Sequence, residues 1–85
     1  MIAMNITEIL EARGFVVKPI RDDYLSVRWA DRAVDNVKQC VDFMNGRPSA
    51  ETEELLALLE ENEWRLALEY FVPIEWGFVI TTRDS

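Results

Sequence analysis

The sequence predicts a small α+β domain in which a helix, a β-hairpin, two further helices and a C-terminal strand follow one another (αββααβ). Two runs rich in β-branched and aromatic residues, FVVKPI (15–20) and YLSVRW (24–29), are separated by three polar residues. Helical patterns with capping residues lie on both sides of them. A last apolar run, FVITT (78–82), has the composition of a strand. With 85 residues, the chain is expected to form a single domain, residues 1–85.

The first helix is predicted over NITEILEARG (5–14). Asn5 is a favoured N-cap residue, and Glu8 three positions later completes a signal similar to a capping box. Gly14 can adopt the left-handed conformation that commonly ends a helix. Ile6 and Ile9 form its inner face together with Leu10.

The two β-rich runs outline a hairpin around Arg21-Asp22-Asp23. Apolar and polar residues alternate in the second run, which predicts a buried face made of Leu25, Val27 and Trp29. Pro19 has no amide proton, and this places the end of the first strand at an edge of the sheet or outside the ladder of hydrogen bonds.

A second helix is predicted after Asp31, which can cap it. Its inner face is expected to be an apolar stripe that ends near Asn45-Gly46. Cys40 lies on the apolar side of the pattern, where a buried thiol is expected rather than a nucleophile. The stripe consists of Val34, Val37, Val41 and Met44, widened by Ala33 and Cys40.

The third and longest helical pattern covers residues 49–71, with Ser49 as its cap and Pro73 beyond its end. The polar residues around Asn62 predict a kink or a split. After Gly77, we expect FVITT to fill one edge of the hairpin, because a two-stranded sheet is marginal without further support. Its core side would carry Trp76, Phe78 and Ile80. A strand offered to a partner is the alternative.

The composition excludes several kinds of chemistry. The chain has no histidine, which removes the commonest general base and nitrogen metal ligand. Its three glycines are isolated, so no phosphate-binding loop is indicated. The single cysteine excludes an intramolecular disulfide. We therefore expect a protein that is not an enzyme and has neither a cofactor nor a metal site.

Location and partners follow from the same composition. No apolar run reaches the length of a membrane span, and the N-terminal residues lack the basic region of a secretion signal, so a cytoplasmic location is expected. A net charge of −7 argues against direct nucleic-acid binding. The expected partner is another protein, and self-association into a homodimer remains open.

The charged residues are unevenly placed along the chain. Five of the nine basic residues fall in the first helix and the hairpin region: Arg13, Lys18, Arg21, Arg28 and Arg32. Positive charge beside an unpaired strand edge suits an extended acidic peptide that adds to the sheet as another strand. The alternative is that these charges only protect the edge from unwanted pairing.

Three stretches carry a resemblance to a known family: TEILEARGFVV (7–17), DDYLSVRW (22–29) and TEELLALLEEN (52–62). Their order resembles the N-terminal docking domains of the TubC type, small modules that join successive subunits of nonribosomal peptide and polyketide synthetases. The resemblance implies an αββαα fold whose hairpin edge receives an acidic segment from the C-terminus of a partner. It implies contacts through Lys18, Arg21, Tyr24, Ser26 and Arg28.

Two functional hypotheses follow. The first is a small interaction module, similar to a docking domain, that binds a partner segment along the hairpin edge. The second is an acidic inhibitor of phage or mobile-element origin, whose carboxylates imitate nucleic-acid phosphates and occupy a basic groove. Its surface would be formed by Glu51, Glu53, Glu54, Glu60, Glu61 and Glu63.

Overall fold

The structure, a computed structural model, describes residues 5–21, 23–68 and 77–82. These residues form three helices and a four-stranded antiparallel sheet, which confirms the α+β class. The expectations for Trp76, for Pro73 and for the last residues of the predicted third helix, 69–71, lie outside the described residues. The elements are α1 (Ile6–Ala12), β1 (Phe15–Arg21), β2 (Tyr24–Trp29), α2 (Asn36–Met44), α3 (Ala50–Glu61), β3 (Arg65–Leu66) and β4 (Phe78–Thr81).

The strands are arranged in the order β1-β2-β4-β3. β4 pairs with β2, so the prediction that FVITT fills one edge of the hairpin is confirmed. All four residues of β4 are buried, as expected for a strand between two neighbours. β1 therefore forms one edge of the described sheet, and the short β3 forms the other.

The first helix and the hairpin form as the sequence predicts. The side chain of Asn5 accepts a hydrogen bond of 2.9 Å from the amide of Glu8, and Gly14 adopts φ +90° after the helix end. Ile6 and Leu10 are buried. Pro19 lies on the edge strand β1, and the register shifts between Pro19 and Arg21.

α2 differs from the prediction at its start. Its N-cap is Asp35, whose side chain accepts from the amide of Lys38 at 3.1 Å. Asp31 instead accepts from the amide of Ala33 at 2.9 Å, which makes a separate turn before the helix. Asp31 is thus a turn residue, a role in which Asp is also favoured.

The buried face of α2 matches the predicted stripe only in part: Cys40 is buried as expected, and Val34, just before the helix, packs against the core. Val37, Val41 and Met44 are exposed, Met44 at 64%, whereas Gln39 and Cys40 are buried. The reason is a set of polar contacts that orient the helix. These contacts turn Val37, Val41 and Met44 toward solvent.

Two amide side chains make the orienting contacts of α2. The side chain of Asn36 accepts from the amide of Trp29 at 2.8 Å and donates to its carbonyl at 3.1 Å. Gln39 accepts hydrogen bonds from the hydroxyls of Ser49 and Thr52 at the start of α3. Buried amides need such partners, so these contacts fix which face of α2 points inward.

α3 ends at Glu61, ten residues before the end of the predicted pattern, so the helix is interrupted near Asn62, where a kink or split was predicted. The amide of Trp64 donates to the carbonyl of Leu59 at 2.9 Å, and the amide of Glu63 to that of Glu60 at 3.1 Å. This is a Schellman motif, with Glu63 in the left-handed region at φ 62°. The chain then continues as β3 rather than as a helix.

The core lies between the sheet and the helices. Its fully buried side chains come from α1, β2, α3 and β4: Leu10, Val27, Leu55, Leu59 and Ile80. The ring of Trp29 packs against two other aromatic rings: the ring centroids lie 5.2 Å apart for Phe15 and 6.1 Å apart for Phe78. Phe78 also meets Phe43 of α2 edge-on at 5.5 Å. The inner face of the sheet is therefore largely covered by the core.

Candidate protein-binding surface

The basic residues of the sheet share one face, which we call the outer face. Directly opposed residues of antiparallel strands point to the same side of a sheet. In the register of the hairpin, Arg21 lies opposite Tyr24, Lys18 opposite Ser26, and Val16 opposite Arg28. The alternate positions carry Phe15, Val17, Val27 and Trp29, which pack in or against the core. All five predicted contact residues therefore lie on the outer face.

The outer face continues onto the other two strands. Tyr24 lies opposite Thr81 of β4, and Thr81 opposite Arg65 of β3. Arg21, Tyr24, Thr81 and Arg65 thus form one cross-strand row, with neighbouring strands about 4.8 Å apart. Arg65 was not predicted, because its segment has the pattern of a helix.

Charge is strictly segregated in the sheet. The four strands that the structure describes contain no Asp and no Glu. Their basic residues are Lys18, Arg21, Arg28 and Arg65, all on the outer face. The described strands of this chain, whose net charge is −7, therefore carry only basic charged side chains and carry them on one face.

The accessible part of the outer face is its hairpin half. Lys18 and Arg21 are exposed, and Tyr24, Ser26 and Arg28 are half-buried. On β4, by contrast, Val79 and Thr81 of the same face are buried. A partner would therefore meet β1 and β2 first.

The turn of the hairpin is held by a bond from β4. The hydroxyl of Thr81 donates to the carbonyl of Asp23 at 2.7 Å. Asp23 has φ 72°, a left-handed conformation that Asp tolerates better than most residues. This bond fixes the turn beside Arg21 and Tyr24 relative to the rest of the sheet.

The outer edge of β1 runs beside these basic residues. The amide of Ala30 donates to the carbonyl of Gly14 at 2.9 Å, so Gly14 turns its backbone toward the β2 side. By the alternation of antiparallel pairing, Val16 and Lys18 do the same, whereas Phe15, Val17 and Pro19 direct their backbone groups outward. No strand among residues 5–21, 23–68 and 77–82 pairs with that edge.

The six glutamates of the alternative hypothesis are all exposed. On a helix with 3.6 residues per turn, Glu51, Glu54 and Glu61 lie on one flank of α3, and Glu53 and Glu60 on the other. Glu63 follows the helix in its terminal turn. The carboxylates therefore do not form one continuous stripe, and their role as a phosphate mimic remains a prediction.

Three further findings concern the reactivity of Cys40, metal ligands and membrane spans. Cys40 is buried, and its burial raises the pKa of the thiol, which opposes formation of a reactive thiolate. No group of three or more potential metal ligands occurs in the part of the chain that the structure describes. None of the described helices is long and apolar enough to cross a membrane.

Comparison of the chain with models of protein families, with curated proteins and with solved structures finds no match.

Proposed function

We propose that this protein is a non-catalytic protein–protein interaction module that binds an extended, acidic segment of a partner along the β1 side of its hairpin. The observation that carries the proposal is the placement of all basic strand residues on one sheet face, beside an edge that no described strand covers. A docking role of the TubC type is the form of this function that the helix and hairpin order favours.

The backbone of β1 provides the first component of binding. Val17 directs an amide and a carbonyl outward, and an added strand would pair with both. Pro19 has no amide to donate, so the ladder of hydrogen bonds would weaken beyond it. The edge therefore accepts a short segment centred on Val17.

The charges of the outer face provide the second component. A strand added to the edge would lie about 4.8 Å from β1, with alternate side chains on the outer face beside Lys18 and Arg21. Arg28 is a diagonal neighbour of Lys18 on β2. Each exposed ion pair contributes only about 0.2–1 kcal/mol. The charges would thus select an acidic segment and orient it, while the backbone bonds hold it.

A binding role agrees with the size of the cleft on the helix side of the sheet. The cleft on the helix side of the sheet has a volume of about 100 Å³, whereas pockets for small molecules are usually about 300–1,000 Å³. The absence of histidine from the sequence also removes the commonest general base.

The test uses a defined probe, a seven-residue peptide in which glutamate alternates with valine. Binding is measured by isothermal titration or by chemical shifts of the ¹⁵N-labelled chain. We expect the double variant Lys18→Glu/Arg21→Glu to weaken binding at least about tenfold, since attraction becomes repulsion at two positions. The matched control is Arg32→Glu/Arg47→Glu, which changes the same net charge at two exposed positions in loops away from the strands.

The control variant should remain within about threefold of the unmodified chain, because its charges lie outside the proposed contact and are screened. The same peptide with glutamine in place of glutamate should bind much more weakly. Equal losses in both double variants, or equal binding of both peptides, would contradict the proposed surface.

A further inference from the structure

A small cleft opens on the helix-covered side of the sheet, at the end of the hairpin where β1 begins. Its volume is about 100 Å³. The floor consists of Phe15, Trp29 and Leu55, which are all buried, and half-buried Leu58 forms a wall. Because these side chains belong to or pack against the core, the floor is apolar and closely packed. The volume suits one inserted side chain rather than a small molecule.

The rim of this cleft is charged. Glu51 and Glu54 reach it from the first half of α3, and Arg13 from the end of α1. No ion pair among the described residues joins Arg13 to either glutamate. Two carboxylates thus outnumber one guanidinium at the rim, and the net charge of −7 makes the surrounding potential more negative. A cation is therefore the complementary occupant.

The apolar floor and the acidic rim together specify one kind of side chain. Lysine and arginine have apolar stems that pack on hydrophobic surface while the charged head stays at the rim. Their cationic heads are also attracted to aromatic rings such as those of the floor. A carboxylate would face both glutamates, and an uncharged aliphatic group would leave the rim charges without a partner.

We propose that this cleft binds a single lysine or arginine side chain presented by a partner protein. The site is separate from the surface proposed above, because Phe15 and Trp29 point to the opposite side of the sheet from Lys18 and Arg28. The cleft would bind a basic side chain, whereas the outer face would bind acidic side chains. The two proposals therefore stand or fall independently.

The test is a titration of the ¹⁵N-labelled full chain with n-butylguanidinium chloride, which reproduces the stem and head of arginine. Sodium butyrate and n-butanol are matched probes with an anionic and a neutral head. We expect saturable shifts of the Trp29 indole signal and of residues 51–58 only with the cation. The dissociation constant should be on the order of 1–10 mM, as expected for so small a ligand.

Charge-neutralising variants identify the rim. The double variant Glu51→Gln/Glu54→Gln should weaken binding of n-butylguanidinium about fivefold. The control, Glu53→Gln/Glu60→Gln, removes the same charge from the other flank of the same helix and should change binding less than about twofold. Preferential binding of butyrate or butanol, absence of saturable shifts at the cleft, or an equal loss in both double variants would overturn the proposal.

Discussion

Replacing Glu63 by glycine tests whether α3 ends at Glu61 or continues further along the chain. The two alternatives predict stability changes of opposite sign. Glu63 adopts φ 62° in the Schellman motif that ends α3. A left-handed conformation is unfavourable by about 1–2 kcal/mol for a residue with a side chain, whereas glycine adopts it without this penalty. Glycine is in turn more flexible in the unfolded chain, which offsets part of the gain. Glu63→Gly should therefore stabilise the protein by about 0.5–1 kcal/mol.

Thermal and urea unfolding of the variant measure this effect. For a domain of this size, about 1 kcal/mol corresponds to a shift of about 4–8 °C in the melting temperature. Glu63→Gln keeps the strained backbone and removes only the charge, so its stability should change by less than about 0.5 kcal/mol. Ala57→Gly, at an exposed position inside α3, should cost about 1 kcal/mol. If Glu63→Gly destabilises the chain as Ala57→Gly does, the helix continues through Glu63, and residue 63 is not left-handed.

Two further substitutions and one chemical reaction test other parts of the fold. Gly77→Ala should lower the free energy of unfolding by about 1–3 kcal/mol, because an added Cβ would lie 2.7 Å from the carbonyl oxygen of Val27; an unchanged urea midpoint would be inconsistent with this packing. Met44→Gln should change stability by less than about 0.5 kcal/mol, since Met44 is exposed; a loss of about 2 kcal/mol or more would mean that the apolar stripe of α2 is buried after all. Cys40 should react with a thiol reagent far more slowly in the native chain than in concentrated urea, because it is buried and its pKa is raised; equal rates would refute its burial.

The parts of the fold that the sequence predicts correctly are those with local signals. Asn5 and Gly14 mark the two ends of α1, and alternation marks β2. The pairing of FVITT with the hairpin was predicted because a sheet of only two strands is marginally stable. Each of these inferences depends on residues close together in the sequence or on the limited ways of completing a sheet.

The errors arise where distant polar contacts decide the outcome. The apolar period of α2 predicts the burial of Cys40 correctly but that of Val37, Val41 and Met44 wrongly, because Asn36 and Gln39 bind partners on β2 and at the start of α3. Hydrophobic periodicity contains no information about those partners.

The length of α3 was overestimated because its left-handed terminal residue is Glu63 rather than the glycine that usually marks such an end.

The candidate surface was predicted in part. The alternation of β2 and the basic residues of β1 placed Lys18, Arg21 and Arg28 together, and the register puts them on one face. Arg65 joins this face only because β3 replaces the expected helix. The cleft of Arg13, Glu51 and Glu54 combines three elements distant in sequence, so no local pattern indicates it.

The central claim, that an acidic segment adds to the outer edge of β1, is tested most directly by amide hydrogen exchange at Val16 and Val17. In the free protein, Val16 already faces β2, whereas Val17 faces outward. Saturation with the alternating glutamate and valine peptide should slow exchange at Val17 at least about tenfold and leave Val16 nearly unchanged. An unchanged rate at Val17 in the saturated complex, or protection confined to α3, would contradict the claim.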